Sequence, residues 1–381
     1  MLALVLLGLL ACTPDLPEQK VPCAASQACL DGAEPTNPLD PEDDEGPAAT
    51  DTGASLDTAA GDTGWIGPDD DTATCDTVQF VREDGTVDLT DAFLGGTPVR
   101  LKQPGTLEVC PGTWFAQIVV SADVTIAGLG DARSDTVLSG GEQLPPLAVS
   151  AGLVEVRHLV LDRGSAAVDG KYGAGGGIRC TDAEVLLEDV TLSNHRAYDG
   201  AAGHVGAGCT LTLRKAEVVA NHADDDGGAF RISEDGAARF EDVRFADNHA
   251  RDGGALAIFE GEVSLETSLF EGNSADDYGG AISNWYGQLD ATSSILRDNE
   301  ARFGGAMSLA GTTRLARLTL QDHSADDGGA VLFHDIGRLE GDDVRFADNA
   351  PDDVRVHGTP QTYTWADALS FVCDEGRCST K

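Results

Sequence analysis

Asn248-His249-Ala250-Arg251-Asp252-Gly253-Gly254-Ala255 and Asn273-Ser274-Ala275-Asp276-Asp277-Tyr278-Gly279-Gly280-Ala281 are two copies of one phrase. The phrase also starts at Asn221, Asn299 and His323, and begins again at Asn349. The steps between these anchors are 27, 25, 26, 24 and 26 residues. Asn194, 27 residues before Asn221, opens a degenerate copy with Gly200-Ala201-Ala202 in place of Gly-Gly-Ala. A recurrence of this length marks a solenoid, propeller or array. The segments between anchors carry no helical period. They are short apolar or alternating runs, such as Ala255-Leu256-Ala257-Ile258-Phe259 and Val263-Ser264-Leu265, bounded by Gly, Asp and Asn. Such runs read as short strands. Three strands in about 25 residues make one coil of a parallel β-helix, whereas a propeller blade needs about 40 residues.

Stacked coils, about 4.8 Å apart, turn each repeat position into a ladder. Three residues before the anchor stand Val218, Phe245, Phe270, Leu296, Leu320 and Phe346, an apolar ladder for the lumen. Asn221, Asn248, Asn273 and Asn299 predict an amide ladder that satisfies buried turn backbone. The paired glycines fit a positive φ or a close backbone approach. The alanine two positions after the anchor fits where only a methyl group does. Next come Asp224, Arg251, Asp276, Arg302 and Asp326, whose alternating signs predict a salt-bridge column. The rival reading of these acids is a calcium site.

The pairs Phe245-x-x-Asn248 with Gly253-Gly254-Ala255, and Phe270-x-x-Asn273 with Gly279-Gly280-Ala281-Ile282, resemble the polymorphic outer-membrane-protein repeat (FxxN plus GGAI) of chlamydial surface proteins. The same repeat occurs in bacterial right-handed parallel β-helix proteins of the pectin-lyase-like superfamily, and the resemblance covers roughly residues 170–350. It implies an all-β right-handed parallel β-helix at the cell surface. Chlamydial members end in a membrane β-barrel. No run of alternating strands long enough for one precedes Lys381, so barrel-mediated secretion is not implied.

Residues 1–11 are apolar and read as a lipoprotein signal peptide. Cys12 after Leu9-Leu10-Ala11 resembles a lipobox cysteine, which implies a lipid anchor. Thr13 beside it favours the outer membrane by the same analogy. Residues 12–76 then form an acidic tether rich in Pro, Asp, Thr and Gly, too poor in large apolar residues to offset the entropy of ordering. The β-helix is expected over 77–366. Residues 367–381 are expected to cap its last coil, since an open sheet edge invites aggregation.

Nine cysteines less Cys12 leave eight, an even number that suits disulfides in a secreted chain. Cys180 and Cys209 lie 29 apart, near one coil. Cys75 and Cys110 suit a staple at the N-terminal edge, and Cys373–Cys378 and Cys23–Cys29 suit small loops. Sequence alone leaves the connectivity open, and no metal-type cysteine spacing occurs.

The net charge of −40, from 65 acids and 25 bases, argues against nucleic acid and against unassisted binding to polyanionic surfaces. His195, His222 and His249 each follow an anchor Asn. Stacked, they form a column able to hold Zn2+ or Cu2+. Otherwise they are a turn position that drifts to Ser274, Glu300 and Ser324. Trp285-Tyr286 interrupts the repeat and suits stacking on a sugar face. Carboxylates are too abundant to reveal the catalytic pair of a glycosidase. Polygalacturonase-like signatures are not found, and Gly203-His204-Val205 is the nearest echo. The expectation is a monomeric, non-catalytic binding or adhesion scaffold for glycan or protein, with no cofactor. The alternative is a polysaccharide lyase or glycoside hydrolase. An acid pair outside the repeat register would favour the enzyme.

Overall fold

A computed structural model describes residues 75–381, except 167–172, 335–336, 358–361, 367–370, 375–376 and 381; from 358 onward only the backbone is described. The expected signal peptide, Cys12 anchor, tether and Cys23–Cys29 loop lie outside the described residues. So do the side chains of Cys373 and Cys378, although the backbone sets these two residues opposite each other in an antiparallel hairpin.

The described residues are 60% strand and 3% helix, and they wind into a parallel β-solenoid of about nine turns with about 26 residues per turn. Three sheets run along the stack, of 19, 13 and 5 strands among the described residues. The first holds strands such as Ala237–Ala246 and Glu262–Glu266. The second holds Leu256–Phe259, Ile282–Trp285 and Met307–Leu309. The third holds the short anchor strands His249–Asp252, Ser274–Tyr278 and Glu300–Phe303. The N-terminal end starts with an antiparallel hairpin, Val78–Arg82 with Gly85–Asp88, and a short helix, Thr90–Leu94. At the far end Arg377–Thr380 runs antiparallel to Val354–His357, which interrupts the parallel stacking.

Corners are made by single residues in the left-handed region. One column of corners comprises Asp242, Thr267, Ser293, Arg317 and Asp343; a second comprises Ala220, Asp247, Asp298, Asp322 and Asp348, each just before an anchor. Left-handed backbone is costly for most side chains and least so for Gly, Asn and Asp, which explains the Asp that often precedes the anchor. The third corner uses both glycines for different reasons. Gly253 has φ +66°. At Gly254 an added Cβ would lie 2.1 Å from the Gly280 carbonyl oxygen, so only a bare backbone fits.

The lumen ladder runs Leu192, Val218, Phe245, Phe270, Leu296, Leu320 and Phe346 in continuous register. Phe245 and Phe270 stack with ring centroids 4.5 Å apart. Beside it runs the amide ladder. The Asn221 side-chain amide donates to Asn248 Oδ1 at 2.9 Å and to the Leu192 carbonyl at 3.2 Å. Asn248 and Asn273 repeat this pattern onto Asn273 and Asn299. Each Oδ1 also accepts the backbone N–H of the preceding anchor. All four asparagines are buried. The alanines Ala197, Ala223, Ala250, Ala275 and Ala301 are buried too.

Two sequence expectations are corrected. The coil before Asn221 is in register by 26 residues, not 27: Arg196 pairs with His222, so His195 occupies the anchor position and Asn194 the left-handed corner before it. His195 is fully buried and belongs to the ladder, not to an exterior histidine column. The salt-bridge column is also displaced. Arg251 reaches Asp225 and, at 3.2 Å, Asp252 rather than Asp224 or Asp276; Arg302 lies 3.7 Å from Asp277 rather than Asp276. Long guanidinium side chains lean along the turn to the half-buried acids instead of stacking on exposed ones. Asp224 and Asp276 meet histidines instead.

Candidate ligand-binding face

The residue before each Gly-Gly pair, or before Gly200-Ala201 in the degenerate copy, lines one outer edge of the stack. From coil to coil it is Asp199, Asp226, Asp252, Tyr278, Phe303 and Asp327. A second outward column, four residues after the turn alanine, holds Phe259, Trp285, Ala310 and His334. Between them runs a row of small residues, Ala257, Ser283 and Ser308. The wide aromatic side chains of the flanking columns lean over this row, so Ser283 and Ser308 are buried although they face outward.

The result is an aromatic cluster spanning several coils. Tyr278 and Phe303 stack at 5.1 Å, and Trp285 meets Tyr278 edge-on at 5.9 Å. His334 lies 5.1 Å from Trp285, bridging the gap that the small Ala310 leaves. Its Nε2 is 3.0 Å from Ser308 Oγ. Tyr286, 55% exposed, and Phe259, 40% exposed, extend the patch toward solvent and meet edge-on at 6.4 Å. Arg302 lies over the Phe303 ring at 4.9 Å. Half-buried aromatic rings fixed by mutual packing, with hydroxyls and acids at their rim, suit a flat ligand with an apolar face and polar edges. Ser283 Oγ is buried beneath this cluster with no hydrogen-bond partner.

Sequence reasoning singled out Trp285 and Tyr286, and both lie in the cluster. It missed Tyr278, Phe303, Phe259 and His334. The signal was present: each sits in a repeat column, the first two directly before Gly-Gly, the others four residues after the turn alanine.

The acidic half of the same edge has a different character. Arg231 lies 2.8 Å from Asp199 and 3.0 Å from Asp226, and Arg251 joins Asp225 and Asp252. Burial pushes Asp226 up to about 7 and Asp252 up to about 6. Burial, with Asp252 and Asp277 beside it, also raises the Tyr278 hydroxyl, so it stays protonated. Carboxyl oxygens of Asp199, Asp225 and Asp226 approach within 4.8 Å of one another, but guanidinium groups already supply the positive charge that the calcium reading required. Asp199, Asp226 and Asp252 stand in register. They form a repeat ladder, not a pair that escapes it.

His204, the nearest echo of a polygalacturonase-like motif, is half-buried under the neighbouring coil with Nε2 3.0 Å from Ser233 Oγ; burial, then Arg231 and Arg179, push it down to about 4. A shallow groove of about 470 Å3 runs along the outside of the first sheet, lined by residues including Arg239, Glu262, Gln288, Asp290 and Arg314. Its acids also stand in repeat columns. Cys75–Cys110 and Cys180–Cys209 are disulfides, the second joining adjacent coils. No helix among the described residues is long and apolar enough to cross a membrane.

With this geometry in place, comparison with known proteins returns one family. Residues 267–284 match the Chlamydia polymorphic membrane protein repeat. The match covers the three corners at Thr267, Gly272 and Gly279, the Asn273 anchor and the start of the aromatic cluster. No curated protein and no solved structure gives a significant match.

Proposed function

We propose that this chain is a lipid-anchored protein of the bacterial cell surface whose β-solenoid binds glycan or protein without catalysis, acting as a monomeric adhesion scaffold. The repeat match supports a surface setting. The observation that carries the binding role is the fixed aromatic cluster of Tyr278, Trp285 and Phe303 on an outer edge. The Cys12 anchor and the tether complete the reading, holding the solenoid away from the membrane. The strongly acidic chain favours neutral or amine-bearing ligands over polyanions.

The test is retention of the full chain on immobilised neutral and acidic polysaccharides, with reducing ends and unsaturated products followed in parallel. Retention without turnover, weakened at least tenfold by Trp285→Ala, supports the proposal. Retention that Trp285→Ala leaves unchanged moves the ligand off this face. The second reading, a polysaccharide lyase or hydrolase, rests on the raised carboxyl of Asp226 beside Arg231. New chain ends that vanish in Asp226→Asn would establish it and end the scaffold reading.

A further inference from the structure

We propose that His222 and His249, together with Asp224 and Asp276, form a surface site for a divalent transition-metal ion of the Zn2+ or Cu2+ class. His222 and His249 are register partners on adjacent coils, and their rings stack with centroids 4.8 Å apart and a 22° tilt. A carboxylate attends each ring: His222 Nε2 is 3.7 Å from Asp224 Oδ1, and His249 Nε2 is 3.8 Å from Asp276 Oδ1. Both Nε2 atoms thus sit beside acid oxygens, giving two imidazoles and two carboxylates on three successive coils. That donor set suits Zn2+ in tetrahedral geometry or Cu2+. It suits Ca2+ poorly, because calcium takes oxygen ligands.

One further contact favours binding. His249 Nδ1 lies 3.0 Å from Ser274 Oγ on the next coil. An outer partner of this kind orients a metal-ligating imidazole and leaves Nε2 for the ion. The opposing charges are Arg196, the register partner of His222 on the preceding coil, and Arg251. Arg251 is drawn away to Asp225 and Asp252. As placed, the four donors do not meet at one point, and closing on an ion at about 2.0–2.1 Å requires rotation of these exposed and half-exposed side chains. The three-histidine column read from sequence is replaced here: His195 is inside the ladder, and Asp224 and Asp276 take its place.

Calorimetric titration of the full chain with ZnCl2, and in parallel with CaCl2, tests the site. The imidazole proton resonances provide a second readout. The expected result is Zn2+ binding that shifts the His222 and His249 resonances. His222→Ala and His249→Ala should each weaken it at least tenfold, Asp276→Asn several-fold, and His357→Ala on a later coil not at all. Because the two histidines are on the surface, the variants should keep the parent melting temperature without metal. The proposal is overturned if Zn2+ leaves both resonances in place, if binding survives loss of both histidines, or if Ca2+ competes at equal concentration.

Discussion

His323 stands in for an asparagine in the ladder. The Asn299 backbone N–H donates to His323 Nδ1 at 3.1 Å, as the Asn273 N–H donates to Asn299 Oδ1 at 2.9 Å. His323 N–H in turn donates to Asn349 Oδ1 at 3.1 Å. His195 does the same at the other end, where its Nδ1 accepts the Gly164 N–H at 2.8 Å. An imidazole fills this role only when neutral, because its Nδ1 must accept.

Burial pushes His195 and His323 down to about 4. The unfolded chain therefore takes up protons at these residues before the folded chain does. Their stabilising effect is complete above the unfolded value near 6.5 and is lost as pH falls toward 4. Asp226 and Asp252 act with the opposite sign, losing their contribution as pH rises from about 4 through 6 to 7. His323→Asn should keep the ladder and remove one histidine from this balance. Between pH 6.5 and 4 its unfolding free energy should fall less than that of the parent, by on the order of 2–3 kcal/mol. Urea unfolding across that range is the measurement, and parallel curves for the two proteins would refute the argument.

Asn248→Ala should be among the most harmful changes on the ladder. It strands the Val218 carbonyl and the Asn221 N–H in the buried interior, and leaves Asn273 Oδ1 with the backbone N–H of residue 248 as its remaining donor. Unsatisfied buried groups cost about 1–3 kcal/mol each, and relaxation recovers part of that. A loss of roughly 2–4 kcal/mol in denaturant unfolding is expected. Asn248→His, following the example of His323, should cost clearly less.

Reducing the Cys180–Cys209 bridge releases a segment with a sequence separation of 29 residues. The chain-entropy relation puts the loss at about 3–4 kcal/mol. A Cys180→Ala/Cys209→Ala double variant should show that drop in chemical denaturation, and added reductant should then affect it less than the parent.

Phe270→Ala removes a ring that stacks on Phe245 inside the lumen. The neighbouring coils are locked by backbone pairing on both sides, so the gap cannot collapse fully. A loss of about 3–5 kcal/mol is expected in the same assay.

Much of this architecture was legible because ladders repeat their own spelling. Phe245, Asn248 and Gly253-Gly254 announce lumen, anchor and corner in every copy, and stacking forces like onto like. Two failures have a common physical origin. Asn194 was aligned by residue type, yet a coil aligns by backbone register, and His195 can do an asparagine's work there. Arg251 was assigned to the acids directly above and below, yet a long side chain reaches sideways to Asp225 and Asp252. The aromatic cluster was half-visible. Trp285 broke the pattern and drew notice, while Tyr278 and Phe303 varied within a column that otherwise carries Asp and so passed as turn residues.

The two described disulfides, Cys75–Cys110 and Cys180–Cys209, both fasten the first half of the stack. In a solenoid each coil touches only its neighbours, so opening proceeds like a zipper from whichever end is least fastened. The Chlamydia-type repeat at 267–284 and the aromatic cluster belong to the half in which no disulfide joins coils among the described residues. Amide exchange should therefore form a gradient, slowest around Cys180 and Cys209 and faster toward Val354–His357. A ligand seated across Tyr278, Trp285 and Phe303 would bind several successive coils at once and act as an added clasp, flattening that gradient as it binds.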